Sequence, residues 1–513
     1  PDILTVQTAT SVMVIYTFKL TFEQYSVILV CMAFFFTFLR LHEVKITEKR
    51  VFHIAGFIVV ALGCGLFTNQ IILSDFMEEH QINIRMFRPM ESYQKYGGVL
   101  TFARSVGYAV VKKPEGYTTA KVDQIIQEYE KKSANTQQST AKQYPNIITV
   151  VNETFADIKV LGDFKTNEDY MPYFHSLKKN CVTGYTYASI VGGQTANTEF
   201  ELLTGNTLGF LSAGTTAFQL YIHGQMPSLV SNLKAEGYSG NKAMHPFNPY
   251  NYNRPAVYKD FGFTDFIDKF DFPKNVKRVR EYISDEANVD RIISEYEKNR
   301  KKTDQPFYMY NMTIQNHSPY DKDAANFKQP IKIESSKYDA EANRYLNLIK
   351  YSDDSLKQLT SYFEKCKEPT IILFLGDHQP RLTDEFMNKI TNGQYQTWSS
   401  EQMMKRYQVP FVIWANYDIK EQHIEKTSMN YMQSILTQTA GVKMTGYQRF
   451  LNEVRKEVPT ITSQGYWGKN GKFYQINDKG SPYYGIIQKY RMIQYNMMFD
   501  KKNRRDSFFE VSK

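Results

Sequence analysis

The sequence predicts an α/β protein in which helices cover a sheet of buried strands. Membrane helices precede it, and a small α+β subregion follows. Three observations carry this reading. Asn146 to Val151 (NIITVV) and Thr370 to Leu375 (TIILFL) are unbroken apolar, β-branched runs of the length expected for strands buried on both faces. His53 to Leu73 is apolar and long enough to cross a bilayer. The 513 residues are 42% hydrophobic, yet the mean hydropathy is −0.46, so a large polar domain must outweigh the apolar amino terminus.

Taken in order, Ile3–Phe18, Tyr25–Leu39 and His53–Leu73 are three apolar stretches, the first two marginal in length or polarity. Arg40 to Arg50 (RLHEVKITEKR), between the second and third, is rich in Lys and Arg. The positive-inside rule puts it in the cytoplasm, so the third helix leads the chain outward and the large domain is extracellular. The chain opens on Pro1 inside an apolar run, as expected of a piece of a larger, multi-pass membrane domain covering residues 1–74.

Residues 75–143 read as a juxtamembrane connector. Asp75 to Ala109 is polar, VDQIIQEYEKK has helical spacing, and SANTQQSTAKQ is a hinge. The catalytic domain is expected over 144–455. Within it Pro227–Glu236 and Asp339–Cys366 read as covering helices, and Phe307–Ile314 as a strand. Residues 456–513 bring short Gly- and Tyr-punctuated strands around KFYQIN, then the helix GIIQKYRMIQYNMMF, whose Ile, Tyr and Met stripe suits packing.

Net charge is +9 and the pI about 8.9, which favours residence near anionic lipid head groups or an anionic wall polymer. Lys and Arg are dispersed, and the one dense run, Lys501 to Arg505, sits at the tail, so no nucleic-acid partner is expected. Of four Cys, Cys31 and Cys64 lie in apolar stretches. Whether Cys181 and Cys366 pair is open.

Chemistry-bearing residues follow the strand runs. In open α/β sheets the carboxyl ends of strands form the ligand crevice, so Glu153 and the pair Asp377-His378 should emerge into one site. Each acid alone could equally cap the next helix. Thr195 follows Gly192-Gly193 and precedes a helical ANTEFELL, a place where an anion is stabilised by free N–H groups but where Thr is also a common N-cap. A hydroxyl needs activation to attack at neutral pH, most simply by ligation to a metal. Glu153, Asp377 and His378 could hold one ion, with the Thr195 oxygen completing a shell suited to zinc or manganese. His317, before Ser318-Pro319, could steady phosphoryl oxygens or pass a proton, and otherwise is a loop residue. Arg254 is shaped for bidentate phosphate contact, with a surface salt bridge as the ordinary alternative.

In order and context these patches resemble the alkaline-phosphatase and sulfatase superfamily. Within it they look like the lipoteichoic-acid-synthase-like phosphoglycerol transferases of Gram-positive bacteria, over roughly residues 145–455. The resemblance implies a mixed sheet flanked by helices. It places the metal ligands on Glu153, Thr195, Asp377 and His378, with Thr195 as nucleophile and His317 beside the reacting phosphate. The substrate-binding segment falls on His245, Tyr252, Asn253 and Arg254. Two positions depart from the pattern: Tyr252 stands where the family carries Trp, and Phe247 where it carries an acid, which puts the glycerol contacts in doubt. The Cys-x-Pro-x-Arg segment of type I sulfatases is absent, since VTGY follows Cys181, which argues against sulfate-ester hydrolysis.

The function so implied is a membrane phosphotransferase using one divalent cation, manganese first, with magnesium or zinc as alternatives. It would move glycerol phosphate from phosphatidylglycerol through Thr195 to a lipoteichoic acid chain or a wall polysaccharide. A phosphoethanolamine transferase or a phosphodiesterase- or sulfatase-type hydrolase on the same scaffold stays open, as does a non-catalytic glycopolymer-binding membrane protein.

Overall fold

The computed structural model describes residues 50–73, 89–108, 111–133 and 143–511, except 213, 335–338 and 394, with isolated positions between 29 and 37 and at 76. The chain divides into two units, Pro1–Val110 and Val111–Lys513. In the first, a helix Arg50–Phe67 runs on into a wider π turn, Thr68–Leu73. Its segment Ile54–Ile71 has a mean hydropathy of 1.8 and is 0% buried, and among the described residues it alone is long and apolar enough to cross a membrane. Ile3–Phe18, and most of Tyr25–Leu39 and of the Arg40–Arg50 loop, lie outside the described residues. Two short helices follow, Pro89–Tyr96 and Gly98–Gly107, and Tyr108 is buried with Ile71, Tyr96 and Leu100 around it.

The second unit is built on an eight-stranded sheet. Its strands are β1 (Asn146–Asn152), β2 (Cys181–Tyr187), β3 (Ser239–Met244), β4 (Asp265–Ile267), β5 (Phe307–Met312), β6 (Thr370–Gly376), β7 (Gln408–Ala415) and β8 (Gln422–Ser428). Their spatial order is β8-β2-β7-β6-β1-β5-β3-β4. Every neighbouring pair is parallel except those of β7, which runs against both β2 and β6, so the sheet is mixed, as the family resemblance implies.

The central strands β1, β5 and β6 are buried at every position, and mostly apolar, because successive residues feed two different cores. Ile147, Val151, Ile371, Leu373, Leu375, Tyr308 and Tyr310 join one cluster, while Ile148, Val150, Ile372, Phe374, Phe307 and Met309 join the other. Helices cover both faces. On the first cluster lie α1 (Thr119–Ser133), α2 (Thr195–Thr204), α3 (Arg254–Phe261), α6 (Gly446–Glu457) and α7 (Tyr484–Met498); on the second lie α4 (Asp285–Arg300) and α5 (Ala340–Phe363). Asp339 caps α5 by accepting from Ala342 N at 2.9 Å, and the expected Pro227–Glu236 helix forms as Leu229–Ala235 behind a Ser228 capping box.

Helix α1 falls within the segment read from the sequence as connector. In the structure Val122, Ile125, Ile126 and Tyr129 enter the same core as Phe450 of α6 and Tyr490 of α7, with the Tyr129 and Phe450 ring centroids 4.7 Å apart. At the carboxyl end, Thr460–Thr462, Gly465–Trp467 and Phe473–Tyr474 form a small antiparallel sheet. Helix α7 then packs through Ile487, Tyr490, Ile493 and Met497. Cys181 and Cys366 are free thiols.

Candidate active site

Because β2, β6, β1, β5 and β3 run in one direction, the segments leaving their carboxyl ends share one edge of the sheet. Glu153 follows β1 and Asp377-His378 follow β6. Asn152 pairs with Gly376 across the two strands, so the acids emerge side by side. A Cβ on Gly376 would lie 1.8 Å from the Phe155 carbonyl oxygen, so only glycine lets the β1 turn pass this close. The turns are locked to each other. Thr154 N donates to Asp377 Oδ1 at 2.6 Å, His378 N donates to the same oxygen at 2.8 Å, and Glu153 N donates to Thr313 Oγ1 at 3.0 Å.

Thr195 opens α2. Residues 192–194 turn through left-handed backbone, with φ of 66°, 141° and 66°, and Gln194 rather than Thr195 occupies the cap position without a side-chain bond. The N-cap alternative for Thr195 is thereby set aside. Its Oγ1 lies 3.5 Å from Glu153 Oε2, and Thr198 Oγ1 donates to the Asp377 carbonyl at 2.8 Å, pinning α2 to the β6 turn.

Glu153, Asp377 and His378 each offer a ligand atom within 4.8 Å of the others, at 3%, 0% and 2% exposure. His378 Nδ1 donates to the Gln379 carbonyl at 3.0 Å, which leaves Nε2 with its lone pair. That Nε2 sits 3.2 Å from Asp377 Oδ2, and both atoms are buried with no hydrogen-bond partner. Two buried acceptors facing each other are unfavourable until something positive lies between them. Burial, with Asp377 alongside, pushes the Glu153 carboxyl up to about 8, a further sign of unmet negative charge. The residues present therefore fit a divalent cation, with oxygen and imidazole donors of the kind zinc and manganese accept.

His245 follows β3, is buried, and donates from Nδ1 to the Met312 carbonyl at 3.0 Å; burial and the nearby Arg254 hold it well below the usual histidine range. Arg254 opens α3 at 1% exposure, so the surface salt bridge does not apply. The bidentate edge expected to meet phosphate is already taken: Nε and Nη2 donate to Glu199 Oε1 at 3.1 and 2.7 Å. Glu199 Oε2 accepts from Tyr258 and, at 3.1 Å, from Tyr310. Any phosphate contact of Arg254 thus falls to Nη1. Tyr252 and Asn253 form the left-handed turn before α3, with Tyr252 under the guanidinium at 5.1 Å and Asn253 exposed.

His317 lies in the loop after β5, half-buried, with Nδ1 donating to the Ser318 carbonyl at 2.7 Å. Its ring stacks on Phe247, with centroids 6.1 Å apart and planes at 22°, and burial lowers its pKa.

Four supporting residues escaped the sequence reading. Glu199 stands four residues after Thr195 on the same helix face, and that spacing could have found it. Arg280 fixes the His317 loop by donating to the carbonyls of Gln315, His317 and Pro319 at 2.6–2.8 Å. Asp285, at the start of α4, accepts from Asn152 at 2.7 Å and Ser352 at 2.6 Å. Asn316 joins them by donating to Asn152 Oδ1 and Ser352 Oγ, so one buried network backs both Glu153 and His317. No local pattern marks Arg280 or Asp285.

Comparison with known proteins bears on the fold and the family. The sulfatase family profile matches residues 145–442. A Rhizobium meliloti (strain 1021) protein, provisionally named for cyclic β-1,2-glucan modification, is 30% identical over 433 residues, or 83% of this chain and 65% of its own length. The lipoteichoic acid synthase-like YvgJ of Bacillus subtilis (strain 168) is 27% identical over 45% of this chain and 36% of its own length. The chain thus spans less than two thirds of these curated relatives. The solved Streptococcus pyogenes phosphoglycerol transferase GacH, in complex with sn-glycerol-1-phosphate, shares the fold at a TM-score of 0.63 and 21% identity, over 78% of this chain and 100% of that one. With a profile match across more than half of its residues, the chain belongs to the sulfatase family, and its relatives include lipoteichoic-acid-synthase-like proteins.

Proposed function

We propose that this protein is a membrane-anchored phosphotransferase, its catalytic unit outside the cell. It moves glycerol phosphate from phosphatidylglycerol, by way of Thr195, to a hydroxyl of a polysaccharide or lipoteichoic acid chain. The observation that carries the reading is the Thr195 hydroxyl at the open start of α2, 3.5 Å from a carboxylate of the Glu153, Asp377 and His378 cluster. Likeness to a phosphoglycerol transferase and to a glucan modification protein supports the transferred group and the acceptor class.

Glu153, Asp377 and His378 would hold the cation, with Thr195 beside them. When bound, the cation supplies Lewis-acid stabilisation of phosphoryl charge and lowers the pKa of the hydroxyl; we expect manganese. Thr195 reacts through its deprotonated Oγ1: Oγ1 attacks phosphorus, the bond to the diacylglycerol oxygen breaks, and the group rests on Thr195. The N–H groups at the start of α2 and the Nη1 edge of Arg254 steady the phosphoryl oxygens. With Nδ1–H committed to Ser318, neutral His317 presents Nε2 as an acceptor. Its protonated form gives a proton to the leaving diacylglycerol oxygen in the first step; in the second it takes the proton of the incoming hydroxyl as that oxygen bonds to phosphorus and the bond to Thr195 Oγ1 breaks, which restores both groups. A lipid donor accords with the membrane-length helix at Ile54–Ile71.

The test uses the detergent-solubilised chain with manganese and fluorescent phosphatidylglycerol, following diacylglycerol release. Release that needs both the metal and Thr195, and is lost in Thr195→Ala, supports the donor half-reaction. Release from phosphatidylethanolamine instead would move the assignment to another head group. Binding of metal without any release would overturn the transferase reading.

A further inference from the structure

Among the described residues Thr154 is the one β-branched side chain at positive φ, at 55°. Gly and Asn enter that region readily, whereas a branched Cβ enters it only under strain. Such a conformation persists where the surroundings hold it from several sides. Here they do. Thr154 N donates to Asp377 Oδ1 at 2.6 Å, and its carbonyl accepts from Tyr345 Oη of α5 at 2.8 Å. The residue is 2% exposed.

The hydroxyl gives this strained residue a task. Thr154 Oγ1 donates to Glu153 Oε1 at 2.8 Å, so one residue touches the carboxylate of the β1 turn through its side chain and that of the β6 turn through its N–H. A glutamate carboxylate turns easily about its last bond, where no sharp rotamer wells confine it. A hydrogen bond to one oxygen fixes that rotation. With Oε1 held by Thr154, Glu153 stands between the other groups of the site: Oε1 is 3.9 Å from His378 Nε2, and Oε2 is the oxygen 3.5 Å from Thr195 Oγ1. Asp377 is set in the same way. Its Oδ1 takes the N–H groups of Thr154 and His378, which leaves Oδ2 facing His378 Nε2 at 3.2 Å. Glycine would sit at this φ without strain, but it would offer Glu153 nothing.

We propose that Thr154 is a positioning residue of the cation site, its hydroxyl setting the rotation of the Glu153 carboxylate and through it the affinity for the ion. It acts through Glu153. The inference rests on the cation site described above and is independent of which group is transferred.

The experiment titrates manganese into the detergent-solubilised full chain, stripped with chelator, and measures affinity by calorimetry beside the unfolding midpoint in chelator. Thr154→Val keeps the branched shape and removes the O–H; it should weaken manganese binding about 10- to 100-fold, the range for a group that orients a metal ligand. Thr154→Ser keeps the O–H and should bind within about threefold of the native chain. Thr154→Gly, which adopts this φ freely, should lose affinity as the valine variant does, and it decides the same question if the valine variant fails to fold. The inference is overturned if the valine or the glycine variant binds manganese as the native chain does, even where the midpoint in chelator falls, since Thr154 would then serve the fold alone. It also fails if the serine variant loses as much affinity as the valine one, which would make the methyl group and not the hydroxyl the source. A native chain that binds no divalent cation would overturn the inference together with the site, and the native titration alone tells these failures apart.

Discussion

Replacing Glu199 with Gln removes the carboxylate that holds Arg254 while keeping the shape of the side chain. The two side chains are 0% and 2% exposed, and their bond is 2.7 Å. Taking one partner from a buried pair leaves the other charge desolvated and unmatched, at about 3–5 kcal/mol. Unfolding a unit of about 400 residues gains roughly 0.85 kcal/mol per degree, so the midpoint should fall by about 4–6 °C. Intrinsic-fluorescence melting of the detergent-solubilised chain with manganese measures this directly. Removing the charge from both partners, as in Glu199→Gln with Arg254→Met, should recover at least half of the loss, because no buried charge is then stranded. A fall of less than 1 °C in Glu199→Gln, or a double variant that melts below the single one, would refute the argument that this pair is a closed electrostatic unit behind Thr195.

Other consequences follow from the same geometry. Glu153 is held up to about 8, so binding of manganese at pH 7 should release close to one proton per ion and tighten about tenfold per pH unit below 8; a pH-independent affinity would contradict this. In chelator the native state keeps a proton that the unfolded chain loses above its ordinary value of 4.5. Stability should therefore fall as pH rises from 4.5 towards 8, by up to about 1.4 kcal/mol per unit, and the buried Glu201, raised to about 7, acts in the same direction. Equal denaturant midpoints at pH 5 and pH 8 would count against it. Gly376→Ala drives a methyl into the Phe155 carbonyl and should cost more than about 2 kcal/mol and weaken metal binding, measured by melting and by metal titration. Arg280→Met frees the three carbonyls of the His317 loop; we expect diacylglycerol release to slow by about tenfold with metal affinity retained, since the loop positions a proton carrier and not a ligand.

The sequence by itself determined the strands and the residues at their ends. NIITVV and TIILFL could be read as doubly buried because their apolar residues fall on successive positions rather than alternate ones, and Glu153, Asp377 and His378 stood out as the polar residues that end those runs. It also marked Thr195, through the glycines that let the chain turn into α2. The tertiary structure alone decided the partners. The antiparallel course of β7, the docking of α1 on α6 and α7, the capture of Arg254 by Glu199 and the brace of Arg280 under His317 all join residues remote in sequence, except where helix spacing sets Glu199 beside Thr195. Local propensity and pattern record which side chains are buried or stand at a strand end. They do not record which distant side chain meets them, because that depends on strand order and helix packing, and on these the supporting contacts rest.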